Sequence, residues 1–162
     1  MYGDPSDLHS SDEVALFDPA TGEWSALPSL PARRSSHRAV VAGDVLFVVG
    51  GWTLSGSSRT GVWADTLLSL DLSDTSRGWS AEEAPFQRRA LGAAATGDDV
   101  IVVGGIGPDR SISSGVWRRD GATGEWSQGP EFPDWGFGVA AANDEDRILA
   151  SGRTGTIFCL EP

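Results

Sequence analysis

Apolar residues in this chain gather into short continuous runs rather than helical stripes, and each run is closed by turn-forming residues. His37 to Ala42 leads through Gly43-Asp44 into Val45-Leu-Phe-Val-Val49. Leu91 to Ala95 leads through Gly97-Asp98 into Val100-Ile-Val-Val103, and Val139 to Ala142 leads through Asn143-Asp144 into Ile148-Leu-Ala150. Runs dense in Val and Ile between Gly, Asp and Asn predict β-hairpins. Their unbroken apolar character predicts strands covered on both faces. Downstream of each hairpin come a polar loop and a third strand, at Val14–Phe17, Thr66–Leu70, Val116–Arg119 and Thr156–Leu160. A turn and a fourth strand opened by tryptophan follow the first three of these. No segment carries a convincing 3.6-residue period. The predicted unit is a four-stranded up-and-down antiparallel sheet, repeated.

The repeat also shows in near-identical heptapeptides, Asp18-Pro-Ala-Thr-Gly-Glu-Trp24 and Asp120-Gly-Ala-Thr-Gly-Glu-Trp126, with a degenerate copy from Asp71 to Trp79. Glycines end an apolar run at Gly3, Gly50-Gly51, Gly104-Gly105 and Gly152. From Trp24, Trp79 and Trp126 to the next of these glycines the distance is 26, 25 and 26 residues. From glycine to the next tryptophan it is 21, 29 and 22 residues. One half of the unit is metrically fixed and the other accepts insertions, as scaffold and surface loop do. A period near 50 residues is the signature of stacked β-sheet blades.

An apolar strand ending in Gly-Gly, followed by an Asp and a Trp around a Thr-Gly turn, resembles the kelch repeat of β-propellers. Gly50-Gly51 and Gly104-Gly105 match in full, Gly3-Asp4 and Gly152-Arg153 in part. The resemblance covers nearly the whole chain and implies an all-β fold of radially arranged antiparallel blades. It divides the chain into an incomplete blade at 1–34, blades at 35–88 and 89–135, and an incomplete blade at 136–162. About three and a half blades are too few to close a ring, since propellers usually have four to eight. Two solutions are open: the chain is part of a longer propeller, or two copies complete a six-bladed ring as a homodimer. In the second, the Phe137–Ser151 hairpin of one copy joins Val14–Leu27 of the other. The glycines suit a crowded strand end, and Trp24, Trp79 and Trp126 suit apolar plates between blades.

Composition narrows function mainly by exclusion. A formal charge of −11 argues against a nucleic-acid or anionic-membrane surface. No apolar run reaches the ~20 residues of a membrane-spanning helix, and no signal peptide precedes Met1; a chain complete as given would be cytoplasmic. The single cysteine, Cys159, excludes an internal disulfide or a cysteine zinc cluster and is expected to be a buried small hydrophobe. His9 and His37 alone cannot make a three-ligand zinc site; His37 is expected to hydrogen-bond nearby backbone. Asn143-Asp-Glu-Asp146 lacks the spaced ligands and glycine of a calcium loop. Neither a metal nor a cofactor is expected.

All twelve basic residues are arginines. Up-and-down connectivity sends the loops Trp52–Ala64 and Ile106–Gly115 to the same end as the connections Ala26–Ser36, Ala81–Ala90 and Gln128–Gly136. That end collects Arg33, Arg34, Arg59, Arg88, Arg89 and Arg110. The kelch resemblance implies a protein-interaction scaffold whose arginines ahead of the first strand hold an acidic protein or peptide. Arg34, Arg88 and Arg89 occupy such places, with Arg59 and Trp52 beside them. Guanidinium groups suit carboxylates through paired planar hydrogen bonds; the competing reading is that they pair with the chain's own Asp and Glu. Trp52 and Trp63 bracket the longest loop, either as a recognition hot spot or as local core. Enzymatic kelch propellers offer the alternative. A galactose oxidase-like copper site needs two tyrosines and this chain has only Tyr2. A site resembling sialic-acid mutarotase would draw on Arg88, Arg89, Glu83 and Glu131, whose spacing is not specific for it. A noncatalytic scaffold is the expected function.

Overall fold

The computed structural model describes residues 8–56 and 61–160. Gly3 and Arg59 therefore lie outside the described residues. The chain is all-β, with 3-10 conformation at Thr75–Arg77 and at Gly56 among the described residues.

The second blade is an antiparallel sheet of β3 (Arg38–Ala42), β4 (Val45–Val49), β7 (Thr66–Asp71) and β8 (Ser80–Glu83), in spatial order β3-β4-β7-β8. The third repeats it with β9 (Gly92–Thr96), β10 (Asp99–Val103), β11 (Val116–Arg119) and β12 (Trp126–Gln128). The first blade is described by its outer pair, β1 (Val14–Asp18) and β2 (Glu23–Leu27), and the fourth by β13 (Ala140–Asp144), β14 (Arg147–Ser151) and β15 (Ile157–Leu160). A small extra hairpin, β5 (Trp52–Leu54) with β6 (Gly61–Trp63), rises from the loop after β4. The sequence reading treats that stretch as loop.

Apolar seams join the blades. Between the second and third lie Phe47, Val49, Leu67, Phe86, Leu91 and Val102. Between the third and fourth lie Ile101, Val103, Phe132, Val139 and Ile148. The innermost strands are also tied backbone to backbone. Ala90 N donates to Ser36 O at 3.0 Å, and Gly138 N donates to Ala90 O at 2.8 Å. These three residues sit at equivalent points, all with positive φ (56°, 52° and 70°).

The double glycines are explained at the same seams. Gly50 and Gly104 have φ near +68° and +67°, and a Cβ there would meet Arg88 O at 2.6 Å and Gly136 O at 2.4 Å. The neighbouring blade's backbone occupies the space a side chain would need.

The heptapeptide is a turn held by its aspartate. Asp120 Oδ1 accepts from Ala122 N, Thr123 N and the Thr123 hydroxyl, and Gly124 N closes onto Asp120 O at 2.9 Å. Hydrogen bonds from the Thr123 backbone and hydroxyl hold the Asp120 carboxyl below the usual carboxylate range. Asp18 repeats the arrangement, with Ala20 N on its carboxylate and Gly22 N on its carbonyl. Trp24, Trp79 and Trp126 stand at the start of the fourth strand in each case, opposite Phe17, next to the paired Ser69–Ser80, and opposite Arg119 respectively.

Three expectations need correction. The hairpin turn of the fourth blade falls at Glu145-Asp146 rather than Asn143-Asp144, with Glu145 at φ 57° where Gly43 and Gly97 stand in the other blades. Asn143 and Asp144 remain in the ladder. Cys159 is exposed, because alternation along β15 sends Phe158 and Leu160 to the seam and Ile157 and Cys159 to the opposite face. Trp24 is 70% exposed and tilts against Phe17 instead of filling a seam, since no blade covers that face among the described residues. His37 is half-buried and its ring hydrogen-bonds the Arg34 backbone, as expected, while its Nδ1 is unpartnered among the described residues.

Candidate functional site

The arginines assigned to one end of the blades divide into two kinds. Arg34 is 6% exposed and points inward. Its guanidinium donates to Thr66 O and Thr66 Oγ1, both at 3.0 Å, to Gly50 O at 3.3 Å and to Val48 O at 3.5 Å. Burial lowers its pKa from the usual value, though a guanidinium stays charged at any physiological pH. Arg88 repeats the clamp one blade on, donating to Gly104 O at 3.3 Å and Gly115 O at 3.2 Å, with its cation over the Phe86 ring. Each stands 16 residues before the glycine whose carbonyl it holds. These two arginines pin the second and third strands of a blade together. The sequence reading has them facing a partner; inside the blade the Arg34 guanidinium is committed to four acceptors, and of Arg88 the Nη1 is committed to two.

Arg89 turns the other way. Along an extended segment consecutive side chains leave on opposite faces, so the neighbour of an inward Arg88 projects toward the loops. Its backbone is fixed by two hydrogen bonds with Ile106, of 3.1 and 2.9 Å. Its guanidinium carbon lies 4.6 Å from the Trp52 ring centre and 5.6 Å from that of Trp63. The two tryptophans are direct cross-strand partners in the β5–β6 hairpin, with ring centres 5.8 Å apart and planes tilted by 46°. Gly61 lets the first ring lie flat, because a Cβ there would meet Trp52 Cε3 at 2.7 Å and Thr53 O at 2.2 Å.

The hairpin has its own strap. Ser10, 3% exposed, pairs its backbone N with Leu54 O at 2.9 Å, and its hydroxyl meets Leu54 N at 2.8 Å and Ser35 Oγ at 2.6 Å. Trp52 is thus held from below by Ser35, whose backbone exchanges hydrogen bonds with it.

Between this hairpin and the loop after β10 lies a basin of about 420 Å³, walled by Trp52, Trp63, Arg89, Ile106, Pro108 and Arg110. The loop is shaped, not slack: Gly107 N donates to Ser111 O, Arg110 N donates to Gly107 O, and Asp109 accepts from the Ser111 backbone and hydroxyl. Arg110 sits at its tip with φ 66°.

The electrostatics decide between pairing within the chain and readiness for something else. Arg77, Arg118, Arg119 and Arg147 make ion pairs with Asp74, Asp99, Glu82 and Asp144. Among the described residues Arg89 and Arg110 have no such partner. Arg89 makes no side-chain hydrogen bond there either, and its Nε is buried without an acceptor. Of the candidates read from sequence, the structure therefore brings together Trp52 and Arg89, and joins to them Trp63, Arg110, Ile106 and Pro108. Trp63 and Arg110 were visible as loop residues. Ile106 was detectable only from its position, one residue past Gly-Gly, where Trp52 stands in the preceding blade.

No family model matches the chain. Individual proteins do. The chain is 31% identical to Kelch-like protein 36 of Rattus norvegicus over 146 residues, covering 90% of this chain and 23% of that protein. It is 27% identical to Kelch-like protein 35 of Mus musculus over 158 residues, 92% of this chain and 25% of that protein. With Kelch-like protein 34 of Homo sapiens it shares 28% over 158 residues, 88% of this chain and 23% of that protein. The chain thus spans about a quarter of the length of the relatives it matches. Repeated four-stranded blades, glycine-closed second strands and this similarity over nine-tenths of the sequence agree: the chain belongs to the kelch-repeat β-propellers.

Proposed function

We propose that the protein is a kelch-repeat protein-interaction scaffold, noncatalytic, that holds an acidic segment of a partner protein in the basin of Trp52, Trp63, Arg89 and Arg110. The observation that carries this reading is the state of Arg89. Its cation is stacked on two indole rings, and its donors face no acceptor among the described residues. A guanidinium with no carboxylate partner of its own keeps its charge for a carboxylate entering the basin, where a charge-assisted hydrogen bond is among the stronger kinds. The two indole rings confine the cation at 4.6 and 5.6 Å, so little side-chain entropy is lost on binding. The similarity to Kelch-like proteins supports a scaffold. The sugar-isomerase alternative gains nothing here, because Arg88 is committed to the blade and neither Glu83 nor Glu131 lines the basin.

A fluorescein-labelled Glu/Asp-rich decapeptide, with a Lys-rich decapeptide as control, tests the proposal by fluorescence anisotropy. Binding of the acidic probe should weaken with rising salt, as screened charge pairs do. Arg89→Met should weaken it about tenfold or more, the cost of losing one well-placed charged anchor. Equal affinity for the two probes, or an Arg89→Met variant with wild-type affinity, refutes the assignment.

A further inference from the structure

Arg110 belongs to two basins. On its far side lies a second cavity of about 390 Å³, lined by Ile112, Ser114, Asp134 and Trp135. Trp135 is 48% exposed and Ile112 40% exposed, and both stand beside Arg110 at the cavity wall. The Arg153 cation lies over the Trp135 ring at 5.4 Å. The seam between the third and fourth blades therefore repeats, with different residues, the arginine-on-tryptophan stack of the preceding seam.

The two basins differ in charge. Among the described residues the first is lined by two cations and no carboxylate. The second carries Asp134, whose carboxylate already accepts from Trp135 N and from the backbone and hydroxyl of Thr154. That carboxylate fixes the Trp135 loop and repels a second acid. An acidic side chain is favoured on the Arg89 side of Arg110, and an apolar one on the Trp135 side.

We propose that the partner segment is bipartite: its acidic residues occupy the Trp52–Arg89 basin, the chain passes over Arg110, and a bulky apolar residue of the same segment seats on Trp135 and Ile112. This rests on the acidic-segment reading above and adds a second subsite with its own chemistry. Large aromatic or aliphatic anchors in such hollows commonly carry much of the affinity of an interface. Two sites joined by a short linker gain affinity only when the linker matches their separation.

The test uses synthetic peptides in which a Glu-Asp-Glu head is joined to a phenylalanine through one to four glycines. The same head followed by four glycines and no phenylalanine is the acidic probe alone. Each is titrated against the protein by calorimetry or anisotropy. One linker length should bind about tenfold or more tighter than the acidic probe, the gain expected of a second anchor. Trp135→Ala should abolish that gain and leave the acidic probe within about twofold of its wild-type affinity. Ile112→Ser, at a part-exposed site, should lower the gain by a lesser factor and serves if Trp135→Ala does not fold. Arg89→Met should weaken every peptide. If no linker improves on the acidic probe, or if the gain survives both Trp135→Ala and Ile112→Ser, the second subsite is overturned while the first stands. If Arg89→Met leaves all the peptides unaffected, the acidic-segment reading itself fails.

Discussion

Arg34 and Arg89 have the same side chain and stand at one end of the blades, yet they should respond oppositely to removal. Replacing Arg34 by Met keeps the stem and deletes a guanidinium that serves Thr66 O, Thr66 Oγ1, Gly50 O and the more distant Val48 O. With the side chain 6% exposed, water has little access to the orphaned acceptors. Each buried acceptor left without a donor costs about 1–3 kcal/mol. The Val48 contact is long, and several of these oxygens keep a second lone pair. The relief of no longer burying a charge offsets part of the loss. The net expectation is about 2–4 kcal/mol, a large share of the ~5–15 kcal/mol that holds a domain folded. Arg34→Lys should recover part of it, because an ammonium reaches some of the carbonyls but cannot span them as a planar fork. Arg89→Met loses the cation–π contacts, about 0.5–1 kcal/mol, and relieves a buried Nε of its missing partner. Urea unfolding followed by tryptophan fluorescence resolves the difference. At a slope of about 1–3 kcal/mol per molar urea, the Arg34→Met midpoint should fall by ~1 M or more, and the Arg89→Met midpoint should hardly move. A destabilisation by Arg89→Met equal to or above that of Arg34→Met would refute the division into clamp and recognition arginines.

Two further outcomes follow from the seams. Burial and the nearby Arg34 and Arg38 cations lower the His37 pKa, so the unfolded chain takes up a proton at higher pH than the folded one. The histidine's contribution is fully present above an unfolded value of ~6.5 and is lost as pH falls from there through the folded-state pKa; His37→Leu, the residue Leu91 provides in the next blade, should flatten that acid slope in stability measured from pH 7.5 to 5. Gly104→Ala combines a left-handed φ with a Cβ 2.4 Å from Gly136 O, whereas Gly97→Ala has a similar φ of 55° and nothing within 4 Å. The first should cost at least ~2 kcal/mol more than the second in the same urea assay, and equal costs would show that the backbone contact across the seam does not matter.

The scaffold was legible because its signals are local and redundant. Val45–Val49 and Val100–Val103 are continuous apolar runs with glycine turns before them, and β4 and β10 form there with at most one residue's difference. The turn at Glu145 was misplaced because Asn143-Asp144 has better turn chemistry, whereas the register is set by the pairing of β13 with β14. The β5–β6 hairpin escaped notice because its strands have three residues each and owe their pairing to the Ser10 strap and the Trp52–Trp63 contact. The site was half legible. Arg33-Arg34 and Arg88-Arg89 read alike as dipeptides, and composition says nothing of which side chain turns inward. The shared interval from Arg34 to Gly50 and from Arg88 to Gly104 marks the clamps, but it acquires meaning only once the glycine carbonyls are known to be the acceptors.

At the bridges Ser35–Trp52 and Arg89–Ile106 every hydrogen bond that closes the blade runs between main-chain atoms. The main-chain part of the joint is therefore the same whatever its residues carry, serine or arginine on one side and tryptophan or isoleucine on the other. The Ser35 hydroxyl and the Trp52 ring also serve the strap and the hairpin. Substitution at Arg89 or Ile106 can change what the surface binds while the main-chain bridge between them stays the same. A propeller of this kind holds, at each blade, an address that can be overwritten while the machinery displaying it stays the same.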